Sequence, residues 1–279
     1  MIRGDVALLQ VEGLTVRRGT RTVFEDIQLN VDSGDCVILT GENGSGKSTL
    51  IESIAGIIPI QSGSVNLAKP FGLTLQSGGI NGDELVGERI ELAANCGGIS
   101  DSESLLTEWN LQHRRQDRVC HLSGGLYRRL AVLQGLIPAY GSEKRICILD
   151  EPSEGLDENS VRILVEHISA LRARGSAFLI ATHDQRLHDC ATHLFNLEKG
   201  VTQTTPNNRP VDVPVKSNTT PTVAFSKWSA KLDQRTMWPI LSRGVPFIAS
   251  CLVLYAMLGN SFDSLILIPA FLASIPPLS

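Results

Sequence analysis

Nine consecutive residues at 41–49, Gly-Glu-Asn-Gly-Ser-Gly-Lys-Ser-Thr, constrain this chain more than any other feature in it. They satisfy the pattern G-x-x-x-x-G-K-[ST] in full. The preceding run Cys-Val-Ile-Leu-Thr at 36–40 is almost wholly apolar, as a strand buried on both faces should be. The following stretch at 48–58 places apolar residues at helical spacing. A strand, a glycine loop and a helix in that order form the setting of a phosphate-binding loop. Glycines let backbone N–H groups converge on an anion with no Cβ in the way. The helix start adds its partial positive charge. Lys47 supplies a full charge for β and γ phosphates, and the Ser48 hydroxyl is suited to ligate Mg²⁺. The expected nucleotide-binding set is therefore Gly41, Glu42, Asn43, Gly44, Ser45, Gly46, Lys47, Ser48 and Thr49.

A second apolar run, Ile-Cys-Ile-Leu at 146–149, ends in Asp150 and Glu151. Ligands of parallel α/β sheets bind at the carboxyl ends of the strands. Asp150 is thus the candidate Mg²⁺ ligand and Glu151 the candidate general base for an attacking water. A third strand is expected within 176–183, and helices within 84–96 and 102–111. The segments ahead of the loop, 7–16 and 22–31, alternate in part as half-buried antiparallel strands do.

Leu-Ser-Gly-Gly-Leu-Tyr-Arg-Arg at 122–129 lies between the loop and the Asp150 strand. There it resembles the signature LSGGQ-x-x-R of the ATP-binding cassette ATPases, and the resemblance spans roughly residues 8–200. It implies an α/β fold: a P-loop nucleotide-hydrolase core of cassette type with an antiparallel β subdomain and a helical subdomain. It also implies that the chain is an ATPase binding ATP and Mg²⁺. Gln76 matches the family's glutamine that senses the γ-phosphate and Mg²⁺ and contacts the membrane partner. His183 matches the switch histidine, and Asp157 matches a residue that reaches across a dimer. Family geometry places Ser123, Gly124 and Gly125 on the ATP held by a second cassette domain, so a homodimer or heterodimer is implied. Catalysis would rest on Glu151, His183, Lys47 and Gln76, and the metal on Ser48, Gln76 and Asp150. Two positions depart from the pattern. Arg18 stands where the family usually stacks an aromatic ring on adenine, and Leu126 replaces the signature glutamine. A guanidinium can also stack on a base.

The formal charge of −4 speaks against a general nucleic-acid binder, so no nucleic-acid partner is expected. The six cysteines are scattered, with no CxxC pair, and read as reduced thiols. The first residues lack the apolar run of a secretory signal, so the body of the protein is expected in the cytoplasm. The cassette is assigned to 1–200. Residues 201–224, rich in Thr, Asn and Pro, read as a flexible linker outside the core, and 225–279 as a hydrophobic segment that begins a membrane domain. Within it, 244–262 carries no charge and is about long enough to span a bilayer, while 264–279 is shorter. Lys227, Lys231, Arg235 and Arg243 precede it, opposed by Asp233 alone, and Trp228 and Trp238 stand at belt positions. C-terminal membrane helices, contact with the lipid bilayer and a place at the cytoplasmic face of the cell membrane follow as expectations. The permease would be a separate subunit or a fused domain. Within the family, transport is favoured by the single cassette, the Gln76 match and the apolar C-terminus. A non-transport cassette acting on nucleic acid or the ribosome is the alternative. The short stretch between Lys47 and Gln76 is similar to the ATPase subunits of haem exporters in cytochrome c maturation.

Overall fold

The structure is a computed structural model, and it describes residues 7–204 with the exception of Lys199. Along the chain run β1 (Ala7–Arg18), β2 (Arg21–Asp32), β3 (Cys36–Thr40), α1 (Lys47–Ile54), β4 (Ser62–Leu67) and β5 (Gly72–Thr74). Then come α2 (Val86–Gly97), α3 (Ser102–Glu108), α4 (Gly124–Tyr140), β6 (Ile146–Asp150), α5 (Glu158–Ala173), β7 (Ala177–Ala181), α6 (Gln185–His188), β8 (His193–Asn196) and β9 (Val201–Thr204).

The three apolar runs at the centre of the chain become β3, β6 and β7, parallel neighbours in a six-stranded sheet ordered β5-β6-β7-β3-β8-β9. Strand side chains alternate between faces, so one continuous apolar run feeds two cores. Cys36, Ile38, Cys147, Leu149, Phe178 and Ile180 join one cluster together with α2–α5. Val37, Leu39, Ile146, Ile148, Ala177 and Leu179 join the other, with α1 and the antiparallel strands. All twelve are essentially inaccessible to water. At ~1.5–3 kcal/mol for each of the larger side chains, this burial is the main term holding the layers together.

The antiparallel subdomain is a three-stranded sheet in the order β2-β1-β4. The β1 register slips between Val11 and Leu14. That bulge keeps Leu9, Val11, Leu14 and Val16 all buried although their spacing departs from strict alternation. The helical subdomain packs α2 and α3 on α4 around the fully buried Trp109, whose indole N–H donates to Tyr140 Oη at 3.3 Å.

The expected α/β architecture with antiparallel and helical subdomains is the one observed. Strands β4, β5 and β8 lie outside the sequence expectation, because they are short and lack a continuous apolar run. The expected end of the cassette at residue 200 needs correction. Strand β9 pairs antiparallel with β8 from Asn196↔Val201 to His193↔Thr204, so the sheet runs past Gly200. Composition alone gave no sign of this, because a strand at the margin of a sheet joins through its backbone and needs no large apolar side chains. The rest of the expected linker, and the apolar segment 225–279, lie outside the described residues. Among the described residues no helix is long and apolar enough to cross a membrane.

β5 meets α4 with almost no clearance. A Cβ added at Gly135 would collide with Thr74 Oγ1, and one at Gly72 with the carbonyl of Gly135. Gly135→Ala is expected to destabilise the fold by about 1–3 kcal/mol through overpacking. In an exposed helix interior the same exchange stabilises by roughly 1 kcal/mol. The midpoint of urea unfolding followed by circular dichroism checks the sign, and a midpoint at or above wild type would refute the close contact.

Candidate functional site

A cavity of about 540 Å³ opens at the carboxyl ends of β3, β6 and β7, where the sheet delivers its polar residues. Its lining includes Asn43 through Thr49, with Arg18, Gln76, Asp150, Glu151 and His183. Residues as far apart in the chain as Arg18 and His183 thus share one pocket, and about 540 Å³ suits a ligand of nucleotide size. Gly41 and Glu42 stand behind the lining and hold Lys47, whose ammonium donates to their carbonyls at 2.8 Å and 3.0 Å. The lysine is therefore drawn back along its own loop, buried and already oriented.

Gly46 caps α1 with φ 104°, and a Cβ there would sit 2.6 Å from Val23 Cγ1. Only glycine fits both demands. α1 has no side-chain cap and no acidic residue in its first turn. Its leading amides and partial positive charge are left for an anion. Ser45 Oγ is buried without a partner.

Asp150 is 2% exposed, and its Oδ1 is buried with no hydrogen-bond partner. Burial holds this carboxyl above the usual carboxylate range. The hydrogen bond with Ser48 and the Arg128 guanidinium pull it down, while Glu151 and Glu52 push it up. Glu151 follows at φ 45°, in the left-handed region. Its N–H donates to Ala181 O at 2.8 Å, and its Oε2 accepts from the His183 amide at 3.3 Å. His183 Nε2 lies 3.5 Å from Glu151 Oε1. Gln76 Nε2 donates to Glu154 Oε2 at 3.0 Å, which links the loop after β5 to the loop after β6.

Four of the expected residues lie away from this cavity. Ser123 caps α4 by accepting from the Leu126 amide at 3.4 Å, and Gly124 and Gly125 form the first turn of that helix. Asp157 caps α5 through Ser160 at 2.7 Å and pairs with Arg129 at 2.9 Å. Within one chain, therefore, these four do not join the pocket. Leu126, at the position of the signature glutamine, packs against the apolar cluster beneath α4. Arg18 lines the cavity and pairs with Glu52 of α1. Arg21 and Val23 also line it, and the sequence reading did not include them. The signal was available: Gly19-Thr20 closes a hairpin that sets Arg21 directly opposite Arg18.

A family model described as ABC transporter matches residues 24–154. The cytochrome c biogenesis ATP-binding export protein CcmA of Gluconobacter oxydans is 35% identical over 176 residues, covering 63% of this chain and 81% of that protein. The protein of the same name from Rhodobacter capsulatus is 32% identical over 180 residues, covering 64% and 82%. Among solved structures, an ATP binding subunit of an ABC transporter superposes with a TM-score of 0.63 at 26% identity, over 71% of this chain and 90% of that one.

The buried carboxylate of Asp150 carries a stability consequence with a definite sign. The folded carboxyl holds its proton more tightly than the unfolded one, so this group favours the folded state most at low pH. That contribution is lost as pH rises from the unfolded value through the raised folded one. Asp150→Asn should therefore raise the thermal unfolding midpoint of the nucleotide-free protein at about pH 7, with the gain fading towards about pH 4. A midpoint lowered equally at both pH values would show that the carboxylate carries no burial cost.

Proposed function

The chain belongs to the ATP-binding cassette ATPases of transporters, and from that premise we propose how its residues bind and hydrolyse ATP. The observation that carries the reading is the convergence of Lys47, Ser48, Gln76, Asp150, Glu151 and His183 on one cavity. Residues 43–49 enclose the phosphates with backbone amides, and Lys47 leaves its loop carbonyls to meet the β and γ phosphates. Arg18 and Arg21 form the rim on which the base rests.

Mg²⁺ suits the donor set at Ser48, Asp150 and Gln76. The unpartnered Asp150 Oδ1 beside the Ser48 hydroxyl is the kind of hard oxygen site this ion takes when phosphates complete its shell. When bound, the ion neutralises charge on the phosphates. Glu151 accepts the proton of the attacking water, and the imidazole of His183 beside it orients that water and the γ-phosphate.

Ser123, Gly124, Gly125 and Asp157 act on a second cassette, whose ATP lies between the two chains. Loss of the γ-phosphate loosens this sandwich, so a binding difference between two states becomes motion. The motion drives a permease at the cytoplasmic face of a membrane. The cargo class favoured is that of cytochrome c biogenesis, haem by the resemblance to haem exporters, since export proteins of that name share 32–35% identity with this chain. Residues 225–279 serve as the start of a membrane domain attached to the cassette, as their uncharged stretch and the preceding Lys and Arg residues support.

Two measurements test these assignments. Glu151→Gln should slow hydrolysis by roughly 10²–10⁴-fold while retaining ATP binding, and should accumulate an ATP-bound dimer on size exclusion. Hydrolysis at the wild-type rate would remove Glu151 as the base. For the tail, full-length protein should stay with membranes through a carbonate wash, and deletion of 225–279 should release it. Recovery of the full chain in the soluble fraction would refute the membrane role and leave the ATPase assignment standing.

A further inference from the structure

One side chain touches the backbone of both loops that carry the proposed γ-phosphate chemistry, and it belongs to neither. Arg128 lies on α4, five residues after Ser123, and is 6% exposed. Its Nη1 donates to the carbonyls of Leu75 at 2.8 Å and Gln76 at 3.0 Å. Its Nη2 donates to the carbonyls of Asp150 at 2.7 Å and Glu151 at 2.5 Å. The neighbouring Tyr127 extends the attachment, with its hydroxyl donating to Ser77 O at 3.2 Å and accepting from the Ile80 amide at 3.3 Å.

Three physical points give this arrangement meaning. A buried cation is costly to desolvate, and here its direct acceptors are neutral carbonyls rather than a carboxylate. Glu154, Asp150 and Glu151 lie close enough to favour the charge, and an apolar side chain here would leave the four carbonyls without their donor, so the guanidinium does what packing alone cannot. Glu151 also occupies a left-handed conformation that is unfavourable for a residue with a Cβ. That conformation is clamped at both ends, by Ala181 O on its N–H and by Arg128 on its carbonyl. Finally, a planar guanidinium with a fixed fork sets the distance between the two loops that it bridges, which a flexible ammonium cannot do.

We propose that Arg128 is a positioning residue: it fixes Glu151 and the Gln76 loop relative to each other and ties both to the 123–125 segment at the head of α4. It touches neither the nucleotide nor the water. The consequence is that the base is aligned only while α4 is seated, so the segment facing a partner's ATP and the chain's own base move as one body. This inference rests on the reading of Glu151 as the base.

The test uses the full-length chain with Arg128→Gln and Arg128→Lys. Three quantities are measured: ATP saturation kinetics, equilibrium binding of a fluorescent ATP analogue, and the thermal midpoint. Arg128→Gln should lower kcat by about tenfold to 100-fold through misplacement of the base, with KM and analogue affinity within about threefold of wild type. Arg128→Lys should recover part of the loss, because an ammonium still reaches some of the carbonyls. A folded Gln variant with wild-type kcat would overturn the proposal, as would a parallel fall in kcat and affinity, or a Lys variant no better than Gln. If the Gln variant does not fold, the Lys variant decides: kcat reduced several-fold at unchanged affinity supports the proposal, and wild-type kcat overturns it. A wild-type chain without ATPase activity would overturn the base assignment and this inference together. Hydrolysis by wild type that is untouched in both variants overturns this inference alone.

Discussion

Everything at the site depends on the register of three parallel strands that have no wet face. β3, β6 and β7 pair residue for residue, Cys36 with Phe178 and Cys147 with the same Phe178, so their carboxyl ends stop at one level. The loop at 41–49, the Asp150–Glu151 pair and His183 leave the sheet from that level. A slip of one residue would exchange the two cores and carry every polar terminus to the wrong height. The two apolar clusters, one on each face, forbid such a slip, and they do so far from any ligand.

The polar groups in this pocket are held ready at some expense to the resting protein. Asp150 keeps an unpartnered oxygen in a buried position, Ser45 keeps another, and Lys47 is folded back on two carbonyls. Under the proposed function, the nucleotide and its metal are what these groups would meet. The glycine at 46, bent to φ 104° against Val23, shows the same priority in the backbone.

The residues proposed to carry the chemistry, several of which share one cavity, were picked out in the sequence by local signals: a glycine loop between an apolar run and a helix, and acidic residues ending a second run. The central strands and the helical subdomain were legible for the same reason. Short strands such as Gly72–Thr74 were not, since three residues carry no period and their place is set by the contact between Gly72 and Gly135. Arg128 was hidden for a different reason. Its meaning lies in four carbonyls contributed by residues 75, 76, 150 and 151, and no spacing rule reports which backbone a side chain will meet. Val201–Thr204 was misread because its polar composition resembles that of a linker, although the pairing of its backbone is ordinary.

The left-handed backbone at Glu151 has an implication for how this protein tolerates change. Glycine adopts that conformation without steric cost, and both hydrogen bonds that clamp the residue belong to its peptide groups rather than its side chain. Position 151 could therefore lose its carboxylate to glycine with little harm to folding. A survey that ranks variants by abundance or heat resistance would record such a chain as healthy. Apart from the bond that its Oε2 accepts from the His183 amide, selection for folding gives the carboxylate little protection, and under the proposed function it is selection for turnover that keeps it.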